Sequence, residues 1–207
     1  MVIYFVRHGE SEGNKKGLHQ GPEVPLSEEG VKQDQVLAER LKKHKIDVIY
    51  SSSMLRAMQT AKIISDNLKI PVESWENLKE IRNPSEIWGK LAEDKRILEI
   101  KELSRKKFLK GDGRYSDEET FEELNKRTKG VLDHLLLHHK EQNVLCISHA
   151  TMIKMIVCKA IFGKSLTPEI FLQLREHLWL KNTGITVCEY TDKWGWTLVN
   201  WNDTSHI

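Results

Sequence analysis

Two histidines and two arginines stand where a chain of this kind could build chemistry. His8 follows a short apolar run, Met1 to Val6, within Arg7-His8-Gly9-Glu10-Ser11. His149 ends a second such run, Asn143 to Ile147, within Ser148-His149-Ala150. Arg7 adjoins His8, and Arg56 falls in the first turn of a helical stretch after Ser51-Ser52-Ser53. Glu80 follows a third strand-like run, Ile70 to Trp75. Residues just past the C-terminal ends of strands in an open α/β sheet share one rim, and such folds keep their reactive groups there. This set suits phosphoryl transfer through a phosphohistidine. A neutral imidazole attacks phosphorus in line. Guanidinium forks grip the nonbridging oxygens and meet the charge of the transition state, in place of a metal. A carboxylic acid protonates the leaving alkoxide. The neighbouring arginines favour the neutral form of His8. Glu80 is the first candidate for the acid, with Glu86 as the second.

The elements that must position these groups read as β-α-β-α-β over the first seventy-five residues, the pattern of a parallel sheet. Strands are expected at 1–6, 46–50 and 70–75. Between them lie a loop over 12–21 and helices over 27–43, capped by Ser27, and over 54–68, capped from Ser51-Ser52-Ser53. Residues 77–113 interrupt the pattern with a basic, amphipathic stretch, read as a helical insertion over the active site whose charges are a solvated face. Ser116-Asp-Glu-Glu119 reads as a capping box for a helix to about His139. A strand over 143–147, a helix over 151–162 and two strand-like runs at 185–190 and 196–201 complete the chain. The expectation is one domain, 1–207, an α/β/α three-layer sandwich around a mostly parallel sheet.

Composition excludes several classes. The chain has 207 residues, and 32 basic against 30 acidic residues leave a formal net charge of only +2, so bulk electrostatics argue for neither a nucleic-acid nor a membrane partner. No apolar stretch approaches transmembrane length. The six-residue apolar start lacks a basic leader and reads as a strand, so the expected compartment is the cytoplasm. Cys146, Cys158 and Cys188 are widely spaced in apolar contexts and read as buried free thiols, with no zinc spacing. His134, His138 and His139 lack a carboxylate partner at metal-binding spacing and read as a solvated helix face. The six tryptophans read as core, with Trp88 the one that has a claim on the substrate entrance.

Single features have bland readings: His149 as a hydrogen-bonded core histidine, Arg56 as a surface ion pair. The joint set outweighs them, and it carries a resemblance. Arg7-His8-Gly9-Glu10-Ser11 with Asn14 resembles the signature of the histidine phosphatase superfamily, also called phosphoglycerate mutase-like. Gln20-Gly21, Pro25-Leu26-Ser27-Glu28-Glu29-Gly30, Ser51-Ser52, Arg56-Ala57, Thr60-Ala61, Leu78 with Glu80, Ser148-His149 and Asn182-Thr183-Gly184 extend the likeness along nearly the whole chain. Ala150 stands where the family often has glycine. Ile81 to Glu86 stand where many members have a Gly-Trp-Glu-Gly run.

The resemblance implies that His8 accepts the phosphoryl group, that Arg7, Arg56 and His149 form the phosphate pocket, and that Glu80 is the general acid. Asn14, Gln20 and Gly21 would line the substrate side. It implies no cofactor and no metal. It implies a hydrolase of the histidine acid phosphatase type, a phosphomonoesterase acting on a small phosphorylated metabolite, with room for a homodimer. The alternatives are a phosphoglycerate mutase, whose branch carries longer substrate segments, and a phospholigand-binding domain without catalysis.

Overall fold

The computed structural model describes residues 1–207. Six strands form one sheet in the order β3-β2-β4-β1-β5-β6. β1 (Val2–Arg7), β2 (Val48–Ser51), β3 (Val72–Ser74) and β4 (Asn143–Ser148) run parallel, while β5 (Ile185–Thr191) and β6 (Gly195–Asp203) are an antiparallel hairpin on the β1 edge. The near-continuous apolar runs of β1 and β4 are what a strand covered on both faces requires. Ile3, Phe5, Val6, Val144, Leu145, Cys146 and Ile147 are all fully buried.

Helices α2 (Glu28–Leu41) and α3 (Leu55–Leu68) cover one face. Leu37, Leu41, Ala57, Ala61 and Ile64 pack there on Ile49 and Leu145. Helices α5 (Phe121–His138), α6 (Ala150–Phe162) and α7 (Pro168–His177) cover the other. Leu124, Val131, Leu135, Ile153, Ile156 and Phe171 pack there on Ile3, Phe5 and Cys146. The three layers and the mostly parallel sheet agree with the sequence expectation. Between β3 and α5 the chain makes two single 3-10 turns and then α4 (Lys95–Phe108), capped by the side chain of Asp94.

Several local expectations are corrected. The loop after His8 contains a one-turn helix, α1 (Glu12–Lys15), because Ser11 and Asn14 form a reciprocal cap. α3 has Met54 at its N-cap without a side-chain bond, although Ser52 Oγ accepts from the Met54 amide at 3.3 Å. The capping box of α5 is Thr120 with Glu123, four residues beyond the one expected. Glu118 instead accepts from the amides of Tyr115 and Ser116, and Glu119 pairs with Arg127. α7 falls in a stretch where no element was expected; Thr167 and Pro168 supply its N-cap and first position.

The three cysteines are buried and unbonded. The expected histidine face is not solvated: only His138 is exposed. His139 is buried and bonds Tyr50 Oη at 3.1 Å, and His134 packs on Trp75. No group of His, Cys, Asp or Glu is arranged to hold a metal ion. Trp179 and Trp194 stand exposed and do not join the core. No helix is long and apolar enough to cross a membrane.

Candidate active site

The sheet register sets the site. β1 and β4 are hydrogen-bonded neighbours with Arg7 opposite Ser148, so the next residue of each strand is a histidine on the same rim. The ring centroids of His8 and His149 lie 5.1 Å apart. β2 flanks β4 with Ser51 opposite Ile147, which brings Ser52 and the start of α3 to the same edge.

His8 is buried, and its tautomer follows from its partners. Nδ1 lies 2.6 Å from the carbonyl oxygen of Gly9, which can only accept, so Nδ1 carries the proton. Nε2 keeps its lone pair and accepts from Arg56 Nε at 3.1 Å. Burial, then the charges of Arg56 and Arg7, hold the His8 imidazole well below its usual range, so the ring is neutral. Sequence reasoning attributed this to the arginines; burial is the larger cause. His149 is neutral for the same reasons, burial first and Arg56 next. Its Nε2 meets Ser52 Oγ at 2.7 Å, and its buried Nδ1 has no partner within the protein.

Arg56 is buried and forks between His8 and the carbonyl of Gly21, which its Nη1 meets at 3.0 Å. Burial lowers it to about 10, opposed by Glu80 and aided by Arg7, and it stays charged at neutral pH. Arg7 Nη1 donates to Leu180 O at 2.6 Å, and its buried Nε is without a protein partner. Glu80 closes the rim. Its Oε1 accepts from the amides of Ile81 and Met152, each at 3.0 Å, and its Oε2 from Thr151 at 3.1 Å. The carboxyl group thus sits on the N-terminus of α6, where acceptors are favoured. Oε1 thus takes two amide donors and Oε2 one. A cavity of about 560 Å³ lies over Glu80, Gln20, Met54 and Trp88. Glu86 is exposed on a 3-10 turn and lies outside the lining of the cavity over Glu80.

The other expected residues come together too, in differing roles. Asn14 Oδ1 faces Asn182 at 3.2 Å. Gln20 Oε1 accepts from Ser11 Oγ at 2.6 Å and lines the cavity. Gly21 contributes its carbonyl to Arg56 and lies against the Trp88 ring.

Sequence reasoning assigned no role to five contributors, although Asn182, Thr183 and Thr60 lie in stretches that carry the resemblance. Asn182 Nδ2 donates to the carbonyls of His8 at 2.9 Å and Gly9 at 3.0 Å, and so clamps the turn that carries the nucleophile candidate. Its neighbour Thr183 holds a φ of 59°, unusual for a β-branched residue, and its N–H donates to the carbonyl of Arg7 at 2.9 Å. Behind the same turn, Gly9 N donates to Thr60 Oγ1 at 3.1 Å, and Thr60 donates to Asp34 at 2.7 Å. Burial pushes Asp34 up to about 7 despite that bond. Arg127 binds Glu119 bidentately at 2.7 and 2.8 Å and donates to the carbonyls of Asn77 and Lys79, each at 2.8 Å, which fixes the turn before Glu80.

Residues 3–204 match the family profile described as histidine phosphatase superfamily (branch 1). The chain belongs to this superfamily. Among histidine phosphatase relatives, it is 32% identical over 173 residues to a protein named phosphoserine phosphatase 1 from Hydrogenobacter thermophilus, covering 80% of this chain and 78% of the relative. It is 30% identical to a protein named “Probable phosphoglycerate mutase” in Proteus mirabilis, covering 100% of this chain and 95% of the relative. A solved phosphoserine phosphatase mutant of Entamoeba histolytica, in complex with phosphoserine, superposes with a TM-score of 0.79 at 25% identity, covering 100% and 98% of the two chains. The histidine phosphatase fold therefore extends over the whole chain, with the rim of β1 and β4 at its centre.

Proposed function

We propose that the protein is a metal-independent phosphomonoesterase of the histidine acid phosphatase type, one that forms a phosphohistidine on His8. The carrying observation is the tautomer: Nδ1–H is fixed on Gly9 O, and the Nε2 lone pair points among Arg56 and His149. A phosphoryl group entering the rim supplies acceptors for Arg7, Arg56 and His149 Nδ1, and draws Arg56 Nε off the nucleophile. The Nε2 lone pair then forms the N–P bond as the P–O bond to the leaving group breaks. Glu80 passes its proton from Oε2 to the departing oxygen. In the second half, water attacks phosphorus, the N–P bond breaks and its electron pair returns to Nε2. The Glu80 carboxylate takes the water's proton, and inorganic phosphate leaves.

The substrate in this reading is a small phosphorylated metabolite, as the relatives' names suggest. The test is trapping of an acid-labile phosphoenzyme in excess chelator, with turnover retained. His8→Ala should abolish both, and full activity in that variant would reject the mechanism. The 30% identity to a relative named as a mutase supports a second reading, in which the phosphoryl group returns to another hydroxyl of the substrate. Slow hydrolysis of the phosphoenzyme and dependence on a bisphosphate primer would favour it.

A further inference from the structure

A second cavity, of about 510 Å³, shares Ile81, Arg82, Asn83 and Glu119 with the one over Glu80. Helices α4, α6 and α7 converge on it and contribute Lys101, Lys154 and Arg175, beside two further cations that are already engaged, Arg105 with Glu176 and Arg82 with the carbonyl of Asp117. Four carboxylates also line it, and all four are engaged. Glu102 pairs with Lys106 at 3.7 Å and Glu176 with Arg105 at 3.6 Å. Glu119 is held by Arg127, and Glu118 by backbone amides.

The three cations have no carboxylate within ion-pair distance. Lys154 Nζ donates only to Arg175 O, at 2.9 Å, and the Arg175 guanidinium and the Lys101 ammonium have no protein acceptor. Burial lowers all three, and the charge of Arg175 lowers both lysines further. Like charges gathered in a half-enclosed cavity, offset only at a distance by Glu80 and Glu176, are unfavourable, and a bound anion relieves them. The cluster is also coupled to the reactive rim. Lys154 lies one turn along α6 from Thr151, whose amide binds Glu80, and the charges of Glu80 and Arg7 both act on Lys154.

We propose that Lys101, Lys154 and Arg175 form a second subsite that takes an oxyanion, a carboxylate or phosphate, beside the phosphoryl-transfer rim. Placed next to the acid, it fits an anionic group on the ester's leaving alcohol, and in that form it rests on the phosphomonoesterase reading. The basic face of α4 is then part of a binding surface, not the solvated face its pattern suggested.

The experiment compares the parent enzyme with the double variant Lys154→Gln, Arg175→Gln. One arm measures kcat/KM on phosphoserine and 3-phosphoglycerate against glycerol 2-phosphate and nitrophenyl phosphate, whose leaving groups bear no carboxylate. A loss about tenfold or more greater on the carboxylate esters is expected, because a site built for a charged partner discriminates strongly. The other arm needs no turnover: succinate should raise the melting temperature of the parent and not of the variant. Without ligand the variant should melt no lower than the parent, since repulsion is removed. Lys101→Gln alone, at the exposed rim, should give a smaller effect in the same sense. A succinate shift without ester discrimination would keep the subsite and assign it to a separate anion. Absence of both effects would overturn the proposal. A parent that turns over no ester at all would reject the phosphomonoesterase reading, while the thermal arm still tests the subsite.

Discussion

Arg127 offers the sharpest test of how the acid is held. Its guanidinium makes four hydrogen bonds of 2.7–2.8 Å, two to Glu119 and one each to the carbonyls of Asn77 and Lys79. The side chains of the pair are only 16% and 11% exposed. Arg127→Met leaves Glu119 with the distant Arg82 amide, at 3.4 Å, as the only other donor to its carboxylate. Breaking a buried pair from one side costs about 3–5 kcal/mol, and partial exposure places this one near 3. Removing both partners in Arg127→Met, Glu119→Gln should restore about 1–2 kcal/mol of that loss.

Catalysis should fall as well, because the turn before Glu80 loses both of its carbonyl anchors, and a displacement of about 1 Å can cost roughly a hundredfold. The assay is urea unfolding for stability, with kcat measured on an alkyl ester and on nitrophenyl phosphate. An alkoxide needs its proton and a nitrophenolate hardly does, so the loss should fall on the alkyl ester. An equal loss on both esters would refute the positioning of Glu80 by Arg127. So would an unchanged kcat on the alkyl ester despite a loss of stability near 3 kcal/mol.

Three further outcomes follow from the same geometry. Asp34 titrates near 7 in the fold, far above the 3.8 of an exposed carboxyl, so the folded chain binds the extra proton between those values and stability falls as pH rises from about 4 to 7. Asp34→Asn should therefore gain on the parent across that window, by on the order of 4 kcal/mol in all and roughly 3 of it above pH 5, and hold the gain above pH 7; urea unfolding at pH 5 and 8 that shows a constant difference would contradict it. Asn182→Leu removes the donor to the His8 and Gly9 carbonyls and should cut kcat about tenfold or more with little change in KM, as steady-state kinetics would read. Gly30→Ala would drive its methyl group into the Glu10 carbonyl, and should cost about 1–3 kcal/mol in unfolding measurements, because backbone and not a flexible side chain stands in the way.

Much of this site was legible from local pattern. Apolar runs that stop at Arg-His and Ser-His mark strand ends, and a parallel sheet places such ends on one rim. That logic put His8, His149, Arg7, Arg56 and Glu80 on one edge, which is where the structure gathers them. Asn182 belongs to the family likeness, yet its role escaped this logic because the contact spans 174 residues. Asp34 lies on an amphipathic helix, where an acid ordinarily faces water; its burial comes from the close approach of Gly9. Arg127 and Glu119 look like an ordinary i, i+8 coincidence until the turn before Glu80 folds against them. The misplaced capping box has the same origin: Ser116-x-x-Glu119 and Thr120-x-x-Glu123 are equal as patterns, and the tertiary demand on Glu119 decides between them.

The lateral spacing of the two imidazoles is inherited from backbone pairing. Adjacent strands lie about 4.8 Å apart, close to the 5.1 Å between the His8 and His149 rings. Side-chain changes elsewhere cannot tune that interval without unpairing β1 from β4. The spacing of the two rings is therefore fixed by the sheet, while α4 and the outer ends of α6 and α7, which wall the second cavity, lie outside that strand pairing. On the proposed reading, a change of side chain in those walls alters which ester is held and leaves the interval between the two imidazoles as the backbone sets it.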